Sequence, residues 1–172
     1  VVGIYISAHP LDDYLREIKN FTSTGLSSLN DLNKIVNKDL YVGGIINEVE
    51  HLQTKTGNGF AVFSFEDFND QYQFRIFGED YLKYKHLLEE NKILRLRISI
   101  RDGWVNRETG RVGDPRIQFL NMELLDGIID SSSKKITLKI DSSTLNLDEV
   151  KKLKKIFYKH KGSKPVYFDI LD

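Results

Sequence analysis

The stretch that decides the fold runs from Tyr41 to Phe77: YVGGIINEVEHLQTKTGNGFAVFSFEDFNDQYQFRIF. Its apolar residues recur at every second position, the spacing of a strand with one buried face rather than of a helix. Three strands are expected, Leu40 to Lys55, Phe60 to Asp67 and Gln71 to Phe77, joined by the hairpin turn Thr56-Gly57-Asn58-Gly59 and by Asn69-Asp70. Gly43 and Gly44 sit inside the first strand, where glycine costs stability unless a bulge or sharp bend needs it. The long, bent first strand of a small barrel is one such place. The alternation turns Ala61, Phe63, Phe65, Tyr72, Phe74 and Ile76 towards a core and leaves Phe60, Val62, Ser64, Gln73, Arg75 and Phe77 facing out.

Downstream, Glu79 to Glu90 has helical spacing, with acidic residues in the first turn where the helix dipole favours them. Ile93 to Arg101 alternates again, Leu94, Leu96, Ile98 and Ile100 on one side and Arg95, Arg97, Ser99 and Arg101 on the other. A loop from Asp102 to Pro115 with three glycines leads to a fifth strand, Arg116 to Leu125. Three strands, one helix and two strands, with glycines in a long first strand, is the layout of an OB-fold, a five-stranded Greek-key barrel.

Two shorter regions flank it. Residues 1–38 read as a helical lead-in and connector: Pro10, Asp12 and Asp13 open a helix with Leu11, Tyr14, Leu15 and Ile18 on one face, and Thr22 to Asn37 packs only lightly. The barrel occupies residues 39–126, and residues 127–134, with Ser131-Ser132-Ser133, are a linker. Residues 135–172 form a small β-α-β unit: strand Ile136 to Ile140, helix Leu147 to Lys159, strand Pro165 to Ile170. The fold class expected is mainly β with an α+β extension. The chain opens on Val and stops just after a strand-like run, which reads as a piece of something longer.

The 172 residues carry 25 Lys+Arg against 25 Asp+Glu, so no general basic excess marks a nucleic-acid binder and any basic footprint is local. With no cysteine there is no disulfide framework and no thiolate chemistry. No apolar run reaches the ~20 residues of a membrane span, and no signal sequence opens the chain. A cytoplasmic protein without membrane contact is expected.

Catalysis finds little support. His9, His51, His86 and His160 fall in four different elements without ligand spacing, Asp12-Asp13 and Glu66-Asp67 fit structural roles, and no phosphate-loop or nucleophile-elbow motif occurs. No catalytic residue, metal or cofactor is expected. Binding fares better. Arg95, Arg97, Arg101, Arg107, Arg111 and Arg116 cluster around the only tryptophan, Trp104, in the fourth strand, the loop after it and the fifth. Cations that track phosphates and flat rings that stack on bases, worth ~1–3 kcal/mol per base, are what single-strand binding needs. Lys55, Phe60, Gln73, Arg75 and Phe77 extend the candidate surface across the outer face of the second and third strands. The same arginines could instead solubilise a sheet face and pair with nearby carboxylates. The lysines of the last helix, Lys151, Lys152, Lys154, Lys155 and Lys159, lie opposite its apolar residues and read as a solvated face.

A resemblance adds to this. Gly3-Ile4-Tyr5-Ile6-Ser7-Ala8-His9-Pro10-Leu11 resembles the G-x-Y-x-[ST]-G-H-P-[LI] segment leading into the OB domain of bacterial DNA polymerase III alpha subunits, with Ala8 where glycine is usual. Gly44-Ile45-Ile46, Thr54-Lys55-Thr56-Gly57, Phe65-Glu66-Asp67, Phe74 to Phe77 and the helix Tyr81 to Glu90 resemble that family's later elements in order. The resemblance covers essentially the whole chain. It implies a non-catalytic portion of a replicative DNA polymerase whose partner is single-stranded DNA, since in that family the polymerase aspartates lie N-terminal to this segment. It also implies the tau subunit of the clamp loader and the sliding clamp as partners of the full-length protein. A protein-docking module is the competing expectation, and an OB domain of a tRNA synthetase shares the barrel.

Overall fold

The computed structural model describes residues 9–105, 108–141, 143 and 146–171. Five strands form one antiparallel sheet: β1 (Asp39–Gln53), β2 (Gly59–Glu66), β3 (Gln71–Phe77), β4 (Ile93–Arg101) and β5 (Arg116–Leu124), in the order β3-β2-β1-β4-β5. The alternation places most of the core as expected, with Ala61, Phe63, Phe65, Phe74 and Ile76 buried and Gln73, Arg75 and Phe77 exposed, whereas Tyr72 is only half-buried and Ser64, on the outward parity, is buried.

β1 serves two neighbours. Its first half, Asp39 to Ile45, pairs with β4, and its second half, Ile45 to Gln53, pairs with β2. Gly44 stands at this handover: a Cβ there would lie 2.3 Å from the Glu66 carbonyl oxygen and 3.0 Å from the Phe65 ring. Only glycine lets the strands approach this closely. A register shift between Ile46 and Glu48 follows, and the amide of Asn47, the residue between them, donates to the Glu66 carboxylate. A bulge of this kind increases the local bend and twist.

The mainly β, five-stranded architecture is the one expected, and the barrel is a loose one. β3 and β5 remain the edges of the sheet and are not hydrogen-bonded to each other. They meet through side chains instead, with Phe74 and Phe119 edge to face at 5.7 Å and Phe63 and Phe119 at 6.2 Å. Burying each such ring contributes ~1.5–3 kcal/mol, so the two edges are joined by packing rather than by a ladder. The helix after β3, here α2 (Gly78–Tyr84), yields to a 3-10 turn at Lys85–Leu87 instead of continuing to Glu90. This tightening goes with complete burial of Leu88, whose carbonyl lies 3.1 Å from His51 Nε2. Tyr84 is also buried, and its hydroxyl donates to the Leu120 carbonyl at 3.2 Å, linking this connection to β5.

The lead-in departs most from expectation. A 3-10 turn, Asp12–Tyr14, precedes α1 (Leu15–Phe21); Leu11 is buried while Leu15, expected on the same face, is exposed. The 22–37 stretch is no light connector: 3-10 turns at Leu26–Asn30 and Leu32–Ile35 insert Leu26 and Leu29 into the core. Asp67 fixes this arrangement. Its carboxylate accepts from the Leu26 backbone N–H at 2.7 Å and from those of Asn69 and Asp70 at 2.8 Å each.

The expected linker contains the short helix α3 (Ile128–Ser132), with Ile128 buried. The chain divides into two compact units, up to Ile128 and from Ile129. In the second, β6 (Ile136–Asp141) and β7 (Val166–Leu171) are parallel and connected through α4 (Leu147–Lys159). Asn146 caps α4, its side chain accepting from the backbone N–H groups of Asp148 and Glu149 while the Glu149 carboxylate accepts from the Asn146 backbone N–H. This reciprocal capping box starts the helix where the sequence placed it. Phe157 meets Phe168 edge to face at 6.0 Å beside an apolar groove of about 470 Å³ lined by Ile140, Val150, Leu153 and Ile170. One helix does not cover the apolar side of this sheet.

Candidate nucleic-acid interface

Strand register converts the outer face of β1, β2 and β3 into three cross-strand rows. Leu52, Phe60 and Phe77 form the first, Glu50, Val62 and Arg75 the second, Glu48, Ser64 and Gln73 the third. Rows two residues apart along a strand lie ~6.8 Å apart. The sheet therefore presents an apolar edge, then a mixed row, then a polar one.

The first row is the distinctive one. Phe60 and Phe77 are stacked, with centroids 4.9 Å apart and planes 15° from parallel, and Phe77 is 52% exposed. Cross-strand aromatic pairs stabilise a sheet, yet burial would normally hide two rings of this size. Arg75 in the next row is exposed and has no carboxylate partner among the described residues. Lys55 projects from the turn between β1 and β2, which Gly57 closes at φ +82° and in which Thr54 accepts from the backbone N–H groups of Gly57 and Asn58. Positive φ at that point is why glycine follows Thr56.

Arginines of β4 are placed differently. Arg95 is nearly buried: it donates to the Glu123 carboxylate at 2.7 Å and to the Phe21 carbonyl at 3.4 Å, and it lies over the Tyr41 ring at 5.1 Å. Arg97 also lies over the Tyr41 ring, at 5.6 Å, and bridges to Asp39 at 3.0 Å, and Ser99 and Arg97 together hold the Asp39 carboxyl below the usual carboxylate range. Arg101 donates to Gln118 at 3.2 Å and stands directly opposite Arg116, two like charges across a strand pair. Such a pair repels unless an anion or solvent separates it.

Beyond β4 the chain makes a narrow ribbon rather than an open loop. Gly113 N–H donates to the Trp104 carbonyl at 2.9 Å, Val105 bridges Val112, and a Cβ on Gly103 would lie 1.9 Å from the Gly113 carbonyl oxygen. Trp104 is 74% exposed on this ribbon, and Arg111 is exposed as well. Arg107 lies outside the described residues, as does the segment Val1 to Ala8.

The structure thus brings Phe60, Gln73, Arg75 and Phe77 onto one face with Lys55 at its end, and places Trp104, Arg111, Arg101 and Arg116 at the turn joining β4 to β5. Sequence reading overlooked Glu48, Glu50 and Leu52 on the same face. Their period-two spacing was visible, but which strand they lie beside depends on the bulge at Asn47. Among the described residues, no group of three or more His, Asp or Glu side chains is arranged to hold a metal ion, and no helix is long and apolar enough to cross a membrane. Asp67 and His51 serve the fold: His51 Nδ1 lies 3.1 Å from the Tyr81 hydroxyl. Burial on the inner side of β3 pushes the Tyr72 phenol above its ordinary value.

Comparison with known proteins bears out the resemblance. The chain is 26% identical over 168 residues, 96% of its length, to DNA polymerase III subunit alpha of Bacillus subtilis. It is 25% identical over 173 residues to that of Thermus aquaticus and 35% identical over 95 residues, 55% of the chain, to that of Borreliella burgdorferi. It spans 14%, 13% and 8% of these relatives. No protein-family profile matches. Among solved structures, one described as an aspartyl-tRNA synthetase from Leishmania major Friedlin aligns with 73% of this chain and 23% of its own at 8% identity and a TM-score of 0.40, too remote to carry an argument.

Proposed function

We propose that this chain, similar along nearly all its length to DNA polymerase III subunit alpha, is a non-catalytic OB-type module of a replicative DNA polymerase that holds single-stranded template. The observation that carries the reading is the stacked Phe60–Phe77 pair, Phe77 exposed and Phe60 half-buried, flanked by Arg75 and Lys55, which have no carboxylate partner among the described residues, on the sheet face where OB-folds seat oligonucleotides. Bases stack on the rings while Lys55, Arg75, Arg111 and the Arg101–Arg116 pair meet phosphates. Arg95 and Arg97 leave the proposed contact set, because each is held by a carboxylate and by Tyr41. Trp104 offers a second ring on the ribbon, with Arg107 beside it in sequence.

Replacing Arg75 and Phe77 together by alanine should weaken binding of a single-stranded oligonucleotide at least tenfold, given ~1–3 kcal/mol for one stacked base and a further phosphate contact. Replacing Arg107 and Arg111 together should weaken it to a smaller extent. Unchanged affinity at low salt in both double variants would refute the site.

A second reading has its own observation. The apolar groove between α4 and the β6–β7 sheet is the kind of surface a protein partner covers. On this reading the second unit contributes to positioning the polymerase against the tau subunit of the clamp loader or the sliding clamp, independently of DNA held by the first. Deleting residues 129–172 would then abolish partner capture and leave oligonucleotide affinity intact.

A further inference from the structure

Charge is divided unevenly along this chain. Residues 129–172 carry ten lysines against six carboxylate side chains, whereas residues 1–128 carry 15 Lys+Arg against 19 Asp+Glu. The basic excess therefore belongs to the second unit, and most of it sits on α4 and just beyond it. Of Lys151, Lys152, Lys154, Lys155, Lys159 and Lys161, only Lys151 has a carboxylate partner among the described residues, Asp148 at 3.5 Å. The β6–β7 sheet supplies the other half of the surface. Its pairs Ile136 with Val166, Leu138 with Phe168 and Ile140 with Ile170 put six apolar residues on the face turned to α4, where Phe168 and Ile170 stay 50% and 60% exposed. Besides its apolar residues the groove is lined by Lys154 and Lys161, and by no acidic side chain among the described residues.

From this we infer that the groove takes an acidic amphipathic helix of a protein partner, whose apolar stripe fills the groove and whose flanking carboxylates meet Lys154 and Lys161. The inference rests on the second reading above, that a protein covers this groove. The lining selects the helix. It is almost wholly apolar, so an occupant has to satisfy its own backbone groups, which a helix does and an extended segment does not. Charge selects the flanks. A neutral or lysine-flanked helix would bury the same apolar area, but only carboxylates give the two unpartnered cations charge-assisted hydrogen bonds. Lys154 and Lys161 are exposed, so these contacts form at the rim, where they choose the partner and its orientation more than they add affinity. A nucleic-acid backbone answers the lysines alone and leaves Phe168 and Ile170 in water.

Three labelled peptides of about 18 residues, long enough to hold a helix, separate the contributions. They share one stripe of leucines at helical spacing and differ only in the residues flanking it, which are glutamate, glutamine or lysine. Titrated by fluorescence anisotropy against the whole chain at low salt, the glutamate peptide should bind at least tenfold tighter than the lysine peptide, with the glutamine peptide between them. A Lys154→Glu, Lys161→Glu double variant, altered at two exposed positions, should reverse that order, and Ile170→Asp should weaken all three peptides. Equal binding of the three, or an order unchanged in the double variant, overturns the inference; if Ile170→Asp still weakens them, the docking reading stands. Failure of all three to bind overturns that reading, and the inference with it. Displacement of the glutamate peptide by a single-stranded oligonucleotide, or a dimer of the whole chain in sedimentation that Ile170→Asp dissociates, would give the groove to another occupant and also overturn the inference.

Discussion

Asp67 shows how a single side chain ties distant parts of this protein together. A carboxylate 6% exposed would be costly unless its lone pairs were met, and three backbone N–H groups meet them, one from the lead-in and two from the turn between β2 and β3. Asp67→Ala leaves those donors unmet and should lower stability by ~2–4 kcal/mol, read as a shift in the urea midpoint at unchanged m-value. Arg95 is the counterpart in β4. Its guanidinium is held by Glu123, Phe21 and Tyr41, so Arg95→Ala should destabilise by ~1–3 kcal/mol, while oligonucleotide affinity measured well below the melting temperature changes less than twofold. A large loss of affinity in a folded Arg95→Ala chain would return this residue to the binding surface. Spacing alone could not separate Arg95 from Arg75, since both sit on the outward parity of a strand. Their difference lies in what stands opposite: Glu123 in one case, Val62 in the other.

Among the elements, β1 is where local sequence and tertiary structure meet most closely. Its glycines pointed to a bend, and Gly44 proves to be the place where the strand passes from β4 to β2 with the Glu66 carbonyl against its Cα. Gly44→Ala must push β1 and β2 apart and should cost ~2 kcal/mol or more in the same urea titration. The inward alternation of β2 and β3 was legible for a simple reason: each residue's side is fixed by parity once one is known. The lead-in was not legible. Leu26 and Leu29, spaced by three, fit 3-10 turns that hold no helical stripe, and their burial depends on a hydrogen bond from residue 26 to residue 67. Nor could parity reveal that the α2 helix would tighten after Tyr84, which follows from the burial of Leu88.

At the scale of the molecule, zero net charge is reconciled with nucleic-acid contact by placement. Several basic residues are neutralised in pairs, while Lys55, Arg75, Arg111 and Arg116 have no carboxylate partner among the described residues. With five cations proposed to meet phosphates, Lys55, Arg75, Arg101, Arg111 and Arg116, stacking carries much of the affinity, and the slope of log affinity against log salt should be about −3.5 or shallower, at ~0.7 per phosphate contacted on a single strand. The candidate aromatic face was visible in the sequence because outward phenylalanines break the rule that large apolar residues turn inward. Its acidic neighbours were hidden by the register shift at Asn47. The most direct test is the anisotropy of the whole chain with a labelled single strand and with the matching duplex, titrated across salt. The account predicts measurable single-strand binding, a clear preference over duplex, which cannot offer an unstacked base to Phe60 and Phe77, and the shallow slope given above. Equal affinity for the two forms, or no single-strand binding even at low salt, would contradict it.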